Sequence, residues 1–438
     1  MVQAASFPIQ QPHYSLRCPL CDSDYGADPF QLSCQVPHAP ALLRAVYSTK
    51  TMTVNPRRPG VFQFSDWLPV ARWFGVTGKP ITYASTALAH YLGLDRLSIS
   101  FNGYWPEREA YLLTGSFKEL EAPTVLARIP EADPRTLVLA SAGNTGRAFA
   151  TLCSTLKIPL CLVLPETSLQ AIWATKPFHP CVQLITVGAG GDYSDAIALA
   201  NLISQMDGYV PEGGAANVAR RDGMGLTVVD AALTLGHIPN HYFQAVGSGT
   251  GGVSAWEANL RLLQDGRFGR QTMTLHLAQN APFTPMVTAW QAGYRQITPT
   301  TEAIAKAQID HTAAKVLTNR NPAYSITNGV YDALSATGGQ MYSVTNQEAG
   351  QAQELFEHLE GIDISPASGV ALGALMQAVA TNKVSPDDAV LLNVTSGGIR
   401  RVQQDYALHY LKSTLAFSPR DIQLDVVQRR LGGDLCKT

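Results

Sequence analysis

Thr136-Leu137-Val138-Leu139-Ala140-Ser141-Ala142-Gly143-Asn144-Thr145-Gly146 runs from a short, wholly apolar stretch into a turn of small residues. Residues 147–157, which follow, predict a helix packing Ala148, Phe149 and Leu152. An apolar run this short, without polar alternation, reads as a strand covered on both faces, as in a parallel sheet. The unit recurs along the chain. Leu160-Cys161-Leu162-Val163-Leu164-Pro165 and Val182-Gln183-Leu184-Ile185-Thr186-Val187 are the next strands, and residues 195–206 a helix. Residues 242–246 then lead into Gly247-Ser248-Gly249-Thr250-Gly251-Gly252, with a helix expected over 253–263 and a strand over 272–277. A last strand, Ala389-Val390-Leu391-Leu392-Asn393-Val394, runs into Thr395-Ser396-Gly397-Gly398. Strands alternating with helices in this way predict a doubly wound α/β fold.

At 438 residues the chain exceeds one ordinary core, so two or three domains are expected. With 46% hydrophobic and 15% charged residues it is compact rather than disordered. Lys+Arg 32 against Asp+Glu 34 gives a net charge of −2 and no basic block stands out, which excludes nucleic acid and an anionic membrane as natural partners. The first residues, Met1 to Pro8, lack a basic segment followed by an apolar one, and no stretch reaches transmembrane length; a cytoplasmic location is expected. Seven cysteines between Cys18 and Cys436, an odd number, suit a reducing compartment better than a disulfide framework.

Residues 14–38 form a separate small unit. Cys18-Pro19-Leu20-Cys21, then Cys34, then His38 have the spacing of a zinc ribbon, one CxxC knuckle plus a second pair. The alternative is a metal-free ribbon, since the second half lacks a CxxC of its own.

Gly247 to Gly252 also satisfies GxGxxG between a strand and a helix, the dinucleotide pattern. That fold needs a carboxylate at the end of the next strand to hold the ribose. Here the strand ends His276-Leu277-Ala278-Gln279-Asn280, so a phosphate cradle of main-chain N–H groups is the better reading. Lys118 stands in Thr114-Gly115-Ser116-Phe117-Lys118-Glu119, a small-residue turn ahead of good helix formers. Burial at a helix start lowers a lysine's pKa and makes its amine a nucleophile that condenses with a carbonyl as a Schiff base. Asn144 offers a neutral amide that can donate to a phenolate oxygen, with helix N–H groups around it. Thr395 and Ser396 end a strand, where a hydroxyl can meet a ring nitrogen without bringing charge. Each signal alone has a bland reading: a surface lysine, a tight turn, a left-handed Asn. Their conjunction in this order points to a phosphorylated aldehyde cofactor.

In order and spacing these elements resemble fold-type II pyridoxal-phosphate enzymes of the tryptophan synthase β-like fold, in the threonine synthase family and most like cysteate synthase. The resemblance runs from about Tyr14 to about Arg401. It implies that Lys118 carries pyridoxal 5′-phosphate and that Asn144 bonds its 3′-oxygen. Gly247, Ser248, Gly249, Thr250 and Gly251 would hold its phosphate, with Thr395 facing the pyridine nitrogen and Ser396 as the fallback. Stretches 41–47, 98–107 and Ser116-Phe117-Lys118-Glu119-Leu120-Glu121-Ala122 are similar to cysteate synthase. Threonine synthases usually read Asp-Arg-Gly after the lysine and carry an acidic-Gly-x-Thr-Pro-Leu element where this chain has Gly78-Lys79-Pro80-Ile81-Thr82-Tyr83. Gly115 stands where some cysteate synthases have a bulkier Cys, which leaves the substrate open.

The implied reaction is β-replacement on O-phospho-L-serine by sulfite, giving L-cysteate and phosphate. The alternatives are threonine formation from O-phosphohomoserine, or another nucleophile such as sulfide. Asn217-Val218-Ala219-Arg220-Arg221-Asp222-Gly223 is similar to the family's Asn-x-x-Arg-x-x-Gly segment and nominates Arg220, with Asn217 and Thr145, for the leaving phosphate; a solvated helix start is the rival reading. A homodimer is implied by the resemblance alone. Residues 1–40 are expected to form the ribbon-like segment and 41–105 part of a large cofactor domain. Residues 106–219 would form a small α/β domain carrying the Lys118 and Asn144 turns, and 220–438 the rest of the large domain.

Overall fold

In a computed structural model that describes residues 6–9, 13–75, 77–188 and 190–434, the chain folds around two sheets. Cys436 lies outside the described residues. The sheet strands in chain order are β1 Ile81–Ala84, β2 Arg96–Phe101, β3 Thr136–Ala140, β4 Leu160–Pro165, β5 Val182–Val187 and β6 Tyr209–Pro211, then β7 His241–Ala245, β8 Thr274–Asn280, β9 Gln340–Val344, β10 Ala389–Val394 and β11 Leu415–Phe417. The larger sheet has the order β9-β8-β7-β10-β2-β1, parallel except for the antiparallel edge pair β2–β1. The smaller is wholly parallel, in the order β6-β3-β4-β5-β11.

The apolar runs are buried along their whole length in β4 and β10, because helices cover both faces of each sheet. Phe101, Phe243, Ala278 and Leu392 of the larger sheet pack on Val370, Leu372 and Leu375 of the helix Pro366–Ala380. The smaller sheet packs one face on Leu199 and Ile203 of the helix Tyr193–Ile203, and Phe417, Val427 and Leu431 join that cluster.

Four helices position the candidate groups: α1 Lys118–Arg128, α2 Asn144–Leu156, α3 Val218–Leu235 and α4 Thr250–Asp265. α1 and α3 touch through Gly223, where a Cβ would stand 2.3 Å from the Leu120 carbonyl oxygen. Only glycine permits that approach, and it brings Met224 and Arg220 against the Lys118 end of α1.

The expected boundary at 219/220 falls inside α3, and β11 rejoins the smaller sheet well beyond it. We propose that Leu415–Phe417 and the helix Leu424–Asp434 belong with the smaller unit. In the ribbon, Tyr14–Arg17 pairs antiparallel with Arg44–Tyr47. It is tied to α1 by Arg128, whose guanidinium donates to the Asp28 and Gln31 carbonyls and to Asn217 Oδ1.

Candidate active site

All three glycine-bearing turns leave the carboxyl ends of parallel strands: β3 into Asn144, β7 into Gly247 and β10 into Thr395. Ligands of open α/β sheets gather at that edge. The Lys118 turn joins them by direct contact. Phe117 N–H donates to the Thr395 carbonyl (2.9 Å), Ser396 Oγ donates to the Gly115 carbonyl (2.6 Å), and Ser116 bridges to Ser396. Gly115 has φ +65°, which strains any residue with a Cβ, and a Cβ there would lie 2.1 Å from Ile399 Cδ1, so a bulkier residue requires the end of that side chain to shift.

Lys118 opens α1 with its amine 3.1 Å from Glu121 Oε2 and 3.4 Å from Met224 Sδ, over the Phe117 ring. Burial lowers its pKa, against the opposing pull of Glu121 and helped by Arg220. A depressed pKa gives the neutral amine that condensation with an aldehyde requires. Glu119, one residue on, holds the Thr114 N–H, and burial pushes its carboxyl up to about 7.

Asn144 Oδ1 accepts from Arg147 Nη2 at 2.7 Å, which fixes the amide's orientation and turns Nδ2 outward with no partner among the described residues. Around α4, Ser248 Oγ lies 2.8 Å from Thr250 Oγ1. Among the described residues, the N–H groups of Gly247, Ser248, Gly249, Gly251 and Gly252 make no hydrogen bond. Such an array at a helix N-terminus is a cradle for a phosphate. Thr395 is buried and its hydroxyl has no partner among the described residues, whereas the Ser396 hydroxyl is committed to Gly115 and its N–H to Ser368. An amine, an amide with a free Nδ2, a cradle of N–H groups and an unpartnered hydroxyl on a buried threonine fit pyridoxal phosphate group by group.

The expected substrate residues are placed unequally. Thr145 sits half-buried beside Asn144. Arg220 is near Lys118 but held by two carboxylates, with Glu212 Oε1 at 2.9 Å from its Nε and Glu121 Oε1 at 3.6 Å from its Nη1. Asn217 caps α3 through Ala219 N–H, accepts from Arg128 and donates to the Glu212 carbonyl, so both ends of its amide are engaged within the protein. The sequence reading missed Arg147 and Glu121. Each stands three residues after a nominated group on a helix, the spacing that puts two side chains on one face.

Away from the cleft, Cys18, Cys21, Cys34 and His38 bring their donor atoms within 4.8 Å of one another. Cys18 Sγ–His38 Nε2 is 3.3 Å and Cys21 Sγ–Cys34 Sγ is 3.5 Å, the spacing of donors around a tetrahedral zinc. No described helix is long and apolar enough to cross a membrane.

Comparison with known proteins agrees with this geometry. Residues 83–396 match the family model described as pyridoxal-phosphate dependent enzyme. The chain is 48% identical over 413 residues to cysteate synthase of Methanosarcina mazei, covering 94% of this chain and 98% of the relative. It is 48% identical over 394 residues to that of Methanocorpusculum labreanum, covering 90% and 94%. Among solved structures, serine racemase from Dictyostelium discoideum superposes with a TM-score of 0.52 at 17% identity, covering 73% of this chain and 92% of that one. Threonine deaminase isoform 2 from Solanum lycopersicum gives 0.52 at 15%, covering 74% and 87%, and both likenesses speak to the fold alone. The chain belongs to the family of pyridoxal-phosphate-dependent enzymes and, within it, to the cysteate synthase family.

Proposed function

We propose that the protein converts O-phospho-L-serine and sulfite to L-cysteate and phosphate. The C–O bond to phosphate breaks at Cβ and a C–S bond to sulfite forms there. One observation carries the reading: similarity to cysteate synthases spans nine-tenths or more of both chains. Pyridoxal phosphate, when bound, supplies the electron sink that lets phosphate leave Cβ once the Cα proton is gone.

The chain supplies the rest. Lys118 provides the amine that holds the cofactor and a base that takes and returns the Cα proton, its low pKa favouring the neutral form. Asn144 donates through Nδ2 to the 3′-oxygen, Gly247 to Gly251 donate to the cofactor phosphate, and Thr395 meets the ring nitrogen. A neutral hydroxyl there keeps the ring a weaker sink, which suits elimination and replacement. Arg220 and Thr145 meet the phosphate of the amino acid, with Asn217 bracing the start of α3. Cys18, Cys21, Cys34 and His38 hold a structural zinc. A cytoplasmic homodimer is the expected form.

Phosphate release from phosphoserine and from phosphohomoserine, each with and without sulfite, tests the assignment. Cysteate appearing only with phosphoserine plus sulfite is the expected result. Turnover of phosphohomoserine alone would overturn it in favour of threonine formation, and product with sulfide but not sulfite would replace the nucleophile.

A further inference from the structure

Arg147 is 7% exposed, yet no carboxylate pairs with it among the described residues. Its guanidinium reaches only neutral acceptors: the Thr114 carbonyl from Nε (3.0 Å), the Ala171 carbonyl from Nη1 (3.2 Å) and Asn144 Oδ1 from Nη2 (2.7 Å). It stacks over the Trp173 ring at 4.4 Å. Glu119 acts on it only from beyond ion-pair distance. Of the five guanidinium N–H groups, two are left without a protein acceptor. A buried charge that lacks a counter-charge is costly, and proteins keep one where a ligand brings the opposite sign.

Arg147 forms part of the wall of a cavity of about 300 Å³, together with Asn144, Trp173, Lys315, Ser365 and Ser396. No Asp or Glu is among the residues lining it. Two helix N-termini end there and add partial positive charge: α2 leaves the Asn144 and Thr145 N–H groups without a partner among the described residues, and Pro366–Ala380 leaves that of Ala367. A larger hollow of about 510 Å³ adjoins through Ser365, Pro366 and Ile399; three carboxylates, Glu354, Glu357 and Asp363, line it against one cation, Arg400, which is paired with two of them, so it is acidic where the Arg147 side is not.

We infer that this cavity is a subsite for a free oxyanion, sulfite arriving or phosphate departing, with Arg147 as its principal cation and Lys315 at its rim. The inference rests on the proposed reaction for the identity of the anion. Arg220, proposed for the phosphate of the bound amino acid, is paired with Glu212 and Glu121, whereas Arg147 has no carboxylate partner among the described residues and keeps its charge for a free anion. Multiple N–H donors of a planar guanidinium and of helix ends recognise an anion with several oxygens better than they do a halide or neutral hydrogen sulfide. The two anions would share the cavity in turn, so phosphate should inhibit competitively against sulfite.

The test uses holoenzyme and the fluorescence of Trp173, isolated by subtracting the Trp173→Phe variant. Titration with sulfite, and separately with inorganic phosphate, is expected to give a saturable change that chloride does not. Arg147→Lys should raise the KM for sulfite and the inhibition constant of phosphate at least tenfold while moving the KM for phosphoserine less than threefold. Loss of the Asn144 contact lowers turnover generally, so the ratio of these constants carries the result. Should Arg147 variants fail to fold, Lys315→Gln changes an exposed side chain and is expected to raise the same constants about threefold. A rise in only one of the two constants assigns the cavity to that anion. Both constants unchanged in Arg147→Lys, or no Trp173 response to either anion, overturns the subsite. Cysteate formation without an anion response counts against the subsite alone, and an anion response without cysteate formation counts against the reaction alone.

Discussion

At Lys118 the helix start, the Glu121 carboxylate and the contact with Met224 all serve one amine. Lys118→Ala is expected to give colourless protein and to lower turnover roughly 10²- to 10⁴-fold, the range for a lost acid–base group; absorbance and phosphate release check both. Thr395 and Ser396 adjoin in sequence but differ in what their hydroxyls touch, and two substitutions separate them. Thr395→Val removes an unpartnered hydroxyl, so the fold should hold while activity drops. Ser396→Ala removes the shorter of two donors to the buried Gly115 carbonyl, leaving the Gly397 N–H at 3.2 Å, and should cost about 0.5–1.5 kcal/mol of stability, measured by thermal and chemical unfolding. Lys118, Asn144 and Thr395 could be nominated from sequence because each sits beside glycine or small residues at a strand or helix terminus, a local signature. Arg147's role was not. It depends on Thr114, Ala171 and Trp173, which meet it only through the fold.

Among the elements, the apolar strands were read to the residue where both faces are covered: β3, β4, β5 and β10. The half-exposed edges β1, β6 and β11 gave no such run, because an edge strand needs apolar residues on fewer sides. β7 and β8 together carry a polar ladder, in which His276 stacks on Phe243 at 4.2 Å, bonds His241 and Tyr342, and through His241 reaches Asp388. Burial holds the His276 imidazole neutral, down to about 3. The unfolded chain therefore binds more protons than the folded one below the ordinary histidine value of about 6.5, and stability falls as pH drops from there toward 3. Between pH 7 and 4.5 His276 should account for about 2–3 kcal/mol of lost stability. Urea unfolding at the two pH values, wild type against His276→Gln, checks this; an equal loss in both proteins would refute it. In the ribbon, zinc is expected at one ion per chain by metal analysis. Cys21→Ser should abolish it and lower the melting temperature. Arg128 ties the ribbon to Asn217, so KM for phosphoserine should rise as well.

Across the whole molecule, the two sheets were foreseeable from the alternation of runs and turns, but the path between them was not. The chain leaves the smaller sheet at β6, builds most of the larger one and returns at β11, where Thr414 Oγ1 donates to the Leu184 carbonyl at 2.8 Å across 230 residues of sequence. Truncation after Asp405 should strip Phe417, Val427 and Leu431 from the helix Tyr193–Ile203 and loosen the smaller unit first. Hydrogen exchange is expected to show faster opening of β3–β5 with β7–β10 still protected; uniform protection would contradict that. The return also sets a timetable for the newborn polypeptide. At roughly 5–20 residues per second, a ribosome delivers β11 some 10–50 s after β5, so half of the catalytic cleft must wait, its outer strand missing, for the message to be nearly read through.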